Sequence, residues 1–378
     1  MKPVIEQQDF LVLSASINYQ LSGDPVNWPA ILALSVGSDD SAEDDLLVDL
    51  LAWLGDAYGG DKRRLGPFAV IHPIRSAALY RRASDARILH ELAVAMLHDK
   101  DEDLTRDRYS PEKWARLEAS YRELLDRIGP EWEVERQVSV LARRPNERYY
   151  TYLGRILDAS ESLPELIAVK LADRLDNTLD MTIDIQTAAS RYNCFEAIFD
   201  IMFAVASPAG NQRLRHPVRG KMNGAKRLYQ LFKNVVVLSL LRIRKKDAYD
   251  ATTMALFESL ALASQRQAQS ILLHLFLYHI TDFAAQRRLL EEARVYCQTE
   301  SIRRVTGLKH RSRLDGFLTS RFSPEDKVEL ERRLADLYQD KELMAVGAVA
   351  LMAIFAGFQY HPDFYIEGIS EAGLHEER

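Results

Sequence analysis

Cysteine is scarce: the chain of 378 residues holds two, Cys194 and Cys297. Two thiols cannot build a disulfide scaffold or a cysteine-rich zinc module, and they suit a reducing compartment. Long hydrophobic runs are also missing. The longest, residues 343–358, spans 16 positions, whereas a bilayer crossing needs about 20; a buried helix is expected there, and no membrane partner. The N-terminal stretch has one lysine, early acids and a short apolar segment. It lacks the basic start and long apolar core of a signal peptide, so a cytoplasmic location is expected. No glycine-rich phosphate loop of the GxxxxGK(S/T) or GxGxxG kind occurs, which argues against P-loop and Rossmann chemistry. No segment alternates apolar and polar residues over several strands, so a β architecture is not expected. A hydrophobic content of 47% with 28% charged residues excludes collagen-like, low-complexity and largely disordered chains.

Helical periodicity is what the chain has in quantity. Leu47, Leu50, Leu51 and Leu54 recur at helical spacing behind an acidic cluster at 39–49, a charge placement that suits a helix N-terminus. Asp85 is read as the cap of a helix carrying Ile88, Leu89, Leu92, Ala93, Met96 and Leu97. Ser110-Pro111-Glu112 is a cap, a proline at the first helical position and an acid in the first turn. Pro164 opens a helix through Ile167, Leu171, Leu175 and Leu179. Further helical stretches cover 225–243, 250–298 and 324–358, after a Pro/Gly/Asn/Arg-rich linker candidate at 207–224. Segments 270–280 and 343–358 are apolar nearly all round, so both are expected to be buried, in a core or in a homodimer interface through the C-terminal helices. The net charge of −6 divides into −11 over residues 1–190 and +5 over 191–378. A general nucleic-acid binder is usually basic overall, so none is expected as a partner; the asymmetry suggests two regions with different tasks.

Three places concentrate chemistry: His72 before Pro73, the pair His98-Asp99 followed by Glu102-Asp103, and Asp173 with Asn177 four residues on. Two imidazoles and two carboxylates from His72, His98, Asp99 and Asp173 make a mixed N/O set that suits divalent Mn, Fe, Zn or Co, and a carboxylate-rich set leans toward Mn. Each fragment alone has an ordinary reading: a helix-start histidine, a helix-end cation beside an acid, an amphipathic helix. Tyr149, Tyr150 and Tyr152 fit either pocket lining or packing. His274 and His279, in an apolar helix, are read as core or interface residues rather than ligands. The basic runs 213–227 and 303–313 are read as solvated loops or as surfaces for phosphate or an acidic partner.

The order of these segments resembles the HD superfamily of metal-dependent phosphohydrolases, and more narrowly the hydrolase domain of RelA/SpoT-type enzymes, which remove the 3′-pyrophosphate of (p)ppGpp. RRLGPFAVIHPI resembles the family's RK-x-G-x-P-Y-I-x-H-P, LHDKDED its LHD-x-x-ED, and VKLADRLDN its KLADR-x-x-N. The resemblance covers about residues 46–205. It implies His72, His98, Asp99 and Asp173 as ligands of one Mn²⁺ and Glu102 and Asp103 as the catalytic acidic pair. It also implies Arg63 and Arg64, with Lys62, as the basic group that holds the nucleotide, and Asn177 as an amide contacting substrate. Tyr58 stands where the family usually has a histidine, and Asp61 where it has a glutamine. No histidine lies between His98 and His216, which points to a mononuclear site. The resulting expectation is an all-α protein: an N-terminal extension at 1–45, an HD-type helical bundle at 46–205 and a second helical domain at 206–378. Its expected activity is Mn²⁺-dependent release of pyrophosphate from a (p)ppGpp-like small-molecule nucleotide. The alternatives are a phosphohydrolase acting on another nucleotide or phosphate monoester, and a catalytically silent nucleotide sensor or scaffold.

Overall fold

A computed structural model describes residues 2–39, 41–61, 68–181, 222–244, 249–298, 301–307, 312–323 and 326–375. Lys62, Arg63, Arg64 and Cys194, most of the linker candidate and the boundary at 205/206 lie outside the described residues. Within them the chain is all-α, with one two-stranded antiparallel pair, β1 (Ile369–Ser370) and β2 (Gly373–Leu374). Helices α1 (Gln7–Leu21), α2 (Trp28–Ser35) and α3 (Ala42–Tyr58) lead into α4 (Ile71–Ala83), α5 (Leu89–Leu97) and the single turn α6 (Lys100–Asp103). Then follow α7 (Pro111–Ile128), α8 (Val134–Leu141), α9 (Tyr149–Ala159) and α10 (Glu165–Asp180). The second half supplies α11 (Gly224–Arg244), α12 (Ala251–Tyr278), α13 (Phe283–Gln298), α14 (Phe317–Phe322), α15 (Lys327–Gln339) and α16 (Lys341–Tyr360).

Helix starts follow local chemistry, with one difference. Ser110 Oγ accepts from the Lys113 amide at 3.2 Å, and the Asp250 carboxylate accepts from the Thr253 amide at 2.6 Å, each satisfying a donor that the first turn leaves orphaned. The helix expected from Asp85 instead begins at Leu89, with Ile88 extended before it. Within that non-helical segment the Arg87 guanidinium is tied to Asp44 in the first turn of α3. The helical stretch 250–298 consists of two helices, with a break between Tyr278 and Phe283. Asp282 takes the Ala285 amide at 2.8 Å, and Gln286 Nε2 donates back to the carbonyl of Ile280 at 2.7 Å; a new cap and a closed turn replace the helical ladder.

Helix α4 is the hub. Every residue from Ile71 to Tyr80 is buried, because α4 is packed by α5, α10 and α12 together. Small residues Ser76, Ala77 and Ala78 in its middle let those neighbours come close. Residues before α3 take part in the same core: Phe10 and Ile17 of α1 have no exposed surface, and α1 packs on α2 and α4. The Val4 amide reaches Ser259 Oγ of α12 at 2.9 Å. Helices of the second half lie directly on those of the first, α12 against both α10 and α4, and one apolar cluster runs from Ile5 to Ile369.

Helix α16 carries the apolar run and is the one described helix long and apolar enough to cross a bilayer, yet 67% of that window is buried inside the protein. Val346, Leu351, Ile354 and Phe355 have no exposed surface. Phe317 sits where a Cβ on Gly347 would lie, 2.5 Å from its ring, so the backbone itself is part of the contact. Burying each large side chain contributes roughly 1.5–3 kcal/mol. Seven such residues (Leu343, Met344, Val346, Leu351, Ile354, Phe355, Phe358) together contribute roughly 10–20 kcal/mol gross, as much as the whole ~5–15 kcal/mol net stability of a typical domain. Truncation after Gln339 is expected to give insoluble or molten protein, read as loss of near-ultraviolet circular dichroism and of a cooperative melt; a soluble, cooperatively melting truncate would contradict this.

The expected burial of segment 270–280 requires correction. Ile271, Leu272, Leu275 and Ile280 are buried, but Leu273 is 59% and Leu277 64% exposed, and Tyr278 also faces solvent. Residues 271, 272 and 275 form the stripe that enters the core, while 273 and 277 lie on the far side of the same turns. His274 is partly buried and His279 exposed.

Candidate metal centre

Four side chains converge where α4, α5, α6 and α10 meet. One ligand atom each from His72, His98, Asp99 and Asp173 lies within 4.8 Å of every other. His72 Nε2 is 3.1 Å from Asp99 Oδ2, 3.3 Å from Asp173 Oδ1 and 3.3 Å from His98 Nε2. No other group of three or more His, Cys, Asp or Glu side chains converges in this way among the described residues. Adjacent side chains on a continuous helix diverge by about 100°. His98 and Asp99 escape this because α5 ends at Leu97 and α6 begins at Lys100. The break turns both side chains to one centre.

The ring tautomers follow from the outer nitrogens. His98 Nδ1 lies 2.8 Å from the carbonyl oxygen of Ala95, an acceptor only, so that nitrogen carries the proton. His72 Nδ1 lies 2.6 Å from Asp176 Oδ2 and is protonated by the same logic. Both Nε2 atoms then present bare lone pairs, 3.3 Å apart, beside two carboxylates. Four electron-pair donors held this close repel one another unless a cation sits among them. The donor set therefore fits a divalent ion, with both histidines braced from behind as ligands usually are. Without an ion, a proton is the substitute. Burial disfavours a charged His98, but the Asp99 and Asp173 carboxylates more than offset this and hold its pKa above the ordinary imidazole value. Burial likewise opposes the Asp99 and Asp173 anions. The imidazoles of His98 and His72 nevertheless hold Asp99 well below the usual carboxylate range, and the Lys170 ammonium and the same rings do so for Asp173.

Behind His72 lies a buried ionic network. Arg75, with no exposed surface, donates to Asp176 Oδ1 at 2.7 Å and Oδ2 at 3.0 Å, to Asp180 Oδ1 at 2.6 Å and to Ser14 Oγ at 3.2 Å. Its guanidinium also covers the Phe10 ring at 4.8 Å. Burial disfavours this charge, but the two carboxylates keep it firmly protonated. The Asp176 carboxylate thus faces a fixed cation and the His72 ring at once.

Glu102 and Asp103 stand at the rim. Glu102 Oε1 accepts the Arg143 amide at 2.7 Å, and Asp103 Oδ2 accepts the Tyr58 hydroxyl at 3.0 Å. Loss of hydration against the protein raises both pKa values, and the Asp99 charge adds to this. A cleft of about 530 Å³ opens above the centre. One side is acidic, with Asp99, Glu102 and Asp103; another is cationic, with Arg143, Lys170, Arg174 and Lys233. Asn177 lines the cleft and donates to Asp173 Oδ1 at 2.5 Å. Tyr149 and Tyr152 line it as well, while Tyr150 packs beside them. The three basic residues 62–64 are outside the described residues.

Sequence reading passed over Asp176, Arg75 and Lys233, and took Tyr58 only as a departure from the family pattern. Arg75 carried a signal, as a charge in the middle of a helix otherwise committed to the core; Asp176 did not, lying in a helix with several other charges. The Tyr58 contact with Asp103 spans 45 residues and has no local signature. Compared with family models, curated proteins and solved structures, the chain has no match.

Proposed function

We propose that this chain is a Mn²⁺-dependent phosphohydrolase of the HD type that releases pyrophosphate from a (p)ppGpp-like guanosine 3′-pyrophosphate. The observation that carries the reading is the convergence of two bare imidazole nitrogens and two carboxylates beneath a cleft with a cationic side. A bound divalent ion would polarise a phosphoryl oxygen and acidify water; His72, His98, Asp99 and Asp173 would hold it. Glu102 Oε2 and Asp103 Oδ1 accept no hydrogen bond from described residues, and either carboxylate would take the proton of the attacking water. Their upward-shifted pKa values bring them closer to neutrality, where a general base works best. Arg143, Lys170 and Arg174 would offset phosphate charge, with arginine adding a bidentate fork.

Glu102→Gln and Asp103→Asn are expected to keep the metal and to lose about 10²–10⁴-fold in turnover, the usual worth of general-base help. Metal content by elemental analysis, set beside turnover, checks both halves; metal loss would make these residues ligands, and unchanged turnover would remove them from the mechanism. A second reading, another nucleotide or phosphate monoester, draws support from Tyr58 and Asp61, which stand at family positions and are engaged with Asp103 and Arg108. The deciding experiment follows pyrophosphate and phosphate release from a nucleotide panel with Mn²⁺. Pyrophosphate from ppGpp supports the first reading, release only from other substrates supports the second, and no release with any divalent ion leaves a nucleotide sensor or scaffold.

A further inference from the structure

Helix α11 belongs to the second half of the chain, yet it places Lys233 in the cleft beside α10. The Lys233 ammonium has no hydrogen-bond acceptor and no carboxylate partner among the described residues. Its contacts are two rings, Tyr229 at 5.0 Å and Tyr149 at 5.7 Å from their centroids. Arg174, next to it, is buried and, among the described residues, is bonded only to neutral oxygens: Asn234 Oδ1 at 2.9 Å, the Gln230 carbonyl at 3.0 Å and Gln230 Oε1 at 3.5 Å. The Arg143 guanidinium donates to the Glu147 backbone oxygen, at 2.8 Å from Nε. The Tyr149 hydroxyl is buried without a partner. Three cations and a hydroxyl donor thus border the cleft with no carboxylate bonded to their charged heads or to the phenol among the described residues, while the acids of the same cleft are engaged elsewhere, Glu102 with the Arg143 amide, Asp103 with Tyr58 and Asp173 with Lys170.

We infer that Lys233, with Arg174 and Arg143, forms a subsite for an anionic group of the substrate other than the one attacked, so that α11 completes the pocket. The ligand chemistry is a phosphate-type oxyanion, which accepts from ammonium, guanidinium and phenol donors together. The inference rests on the phosphohydrolase reading for the identity of the substrate, but not for the existence of the subsite. The groups facing Lys233 are Arg174, Lys170 and Asp173 on α10, Arg143 after α8, Tyr149 on α9 and Tyr229 on α11. Burial, reinforced by Arg174, Arg143 and Lys170, brings its pKa down to about 7. An arriving anion favours the charged form, so binding takes up a proton at and above neutrality and weakens as pH rises.

The test uses the full chain loaded with Mn²⁺ and sulfate as the probe, since sulfate keeps its charge across the range. Binding is measured by calorimetry at about pH 6 and about pH 8. Wild type is expected to bind more tightly at the lower pH. Lys233→Met is expected to weaken binding about tenfold at the lower pH, as loss of a charge-assisted hydrogen bond does, and to flatten the pH dependence. Lys233→Arg keeps the cation and is expected to hold its affinity at both values, which separates a lost contact from a damaged fold. Equal sulfate affinity in Lys233→Met and wild type overturns the subsite, whatever the protein hydrolyses. If instead Lys233→Met loses sulfate while no nucleotide is hydrolysed, the phosphohydrolase reading falls and the subsite stands.

Discussion

Asp173→Ala is expected to abolish Mn²⁺ binding and to lower turnover by about 10³–10⁴-fold, the several kcal/mol of charge stabilisation that a catalytic ion supplies. Asp173 carries this weight because its two oxygens have separate duties. Oδ1 faces His72 Nε2 at 3.3 Å, while Oδ2 takes the Lys170 ammonium at 2.7 Å. Removing the carboxylate deletes an anionic ligand and leaves Lys170 as a further cation at the centre, which repels a divalent ion. Elemental analysis of wild type is expected to find about one metal per chain, and of the variant almost none; a variant that keeps both metal and turnover would sink the assignment. A pH signature accompanies it. Metal uptake must displace the proton that the metal-free protein holds on His98, whose pKa is raised. Affinity should therefore rise with pH through that raised value and level off above it, as a metal-competition titration would show.

Arg75→Met is expected to destabilise the protein by about 3–5 kcal/mol, the cost of leaving buried charge without its partner. The shape of the side chain is nearly kept, but Asp176 and Asp180, both buried, lose their shared cation. Thermal or urea unfolding measures the loss. The triple variant Arg75→Met, Asp176→Asn, Asp180→Asn removes the stranded charges as well and is expected to recover much of the stability. It should not recover metal affinity. With an amide in place of the Asp176 carboxylate the His72 ring faces a neutral, weaker acceptor that can also turn its NH2 toward the ring, so the tautomer is no longer fixed, and losses behind a ligand of this kind typically weaken metal binding about 10–100-fold. Stability and affinity moving together in the triple variant would count against the positioning role of Asp176.

Residues 46–205 show how far local patterns reach. Helix identity was legible in the leucine spacing of α3 and in the Ser110 cap, because both depend on neighbours within a turn or two. The four ligand types were legible as chemistry-bearing residues, and the chain brings them together at the α5–α6 break. The acceptor of His72 was not legible: Asp176 lies 104 residues away and reads locally as one polar position of an amphipathic helix. Lys233 was missed for a similar reason, since a lysine on a helix normally points to solvent, and only the packing of α11 on α9 and α10 turns it inward. The exposed face of α12 at Leu273 and Leu277 is the converse. Composition says apolar, but burial is decided by which distant helices arrive to cover the surface.

The tie between the two ends of the chain also constrains assembly during synthesis. Val4 meets Ser259 across 255 residues, and Glu6 pairs with Arg266 at 3.0 Å. The first helix therefore cannot dock on α12 until two-thirds of the polypeptide has left the ribosome. Its residues Phe10 and Ser14 contact Arg75, and the other members of that cradle, Asp176 and Asp180, also precede α12 in the chain. Contacts of such separation fold slowly because loop closure precedes any reward. The centre around His72 draws all its residues from the first 180 positions, so it can assemble before α12 is made, and the clasp of the N-terminal residues on α12 closes behind it.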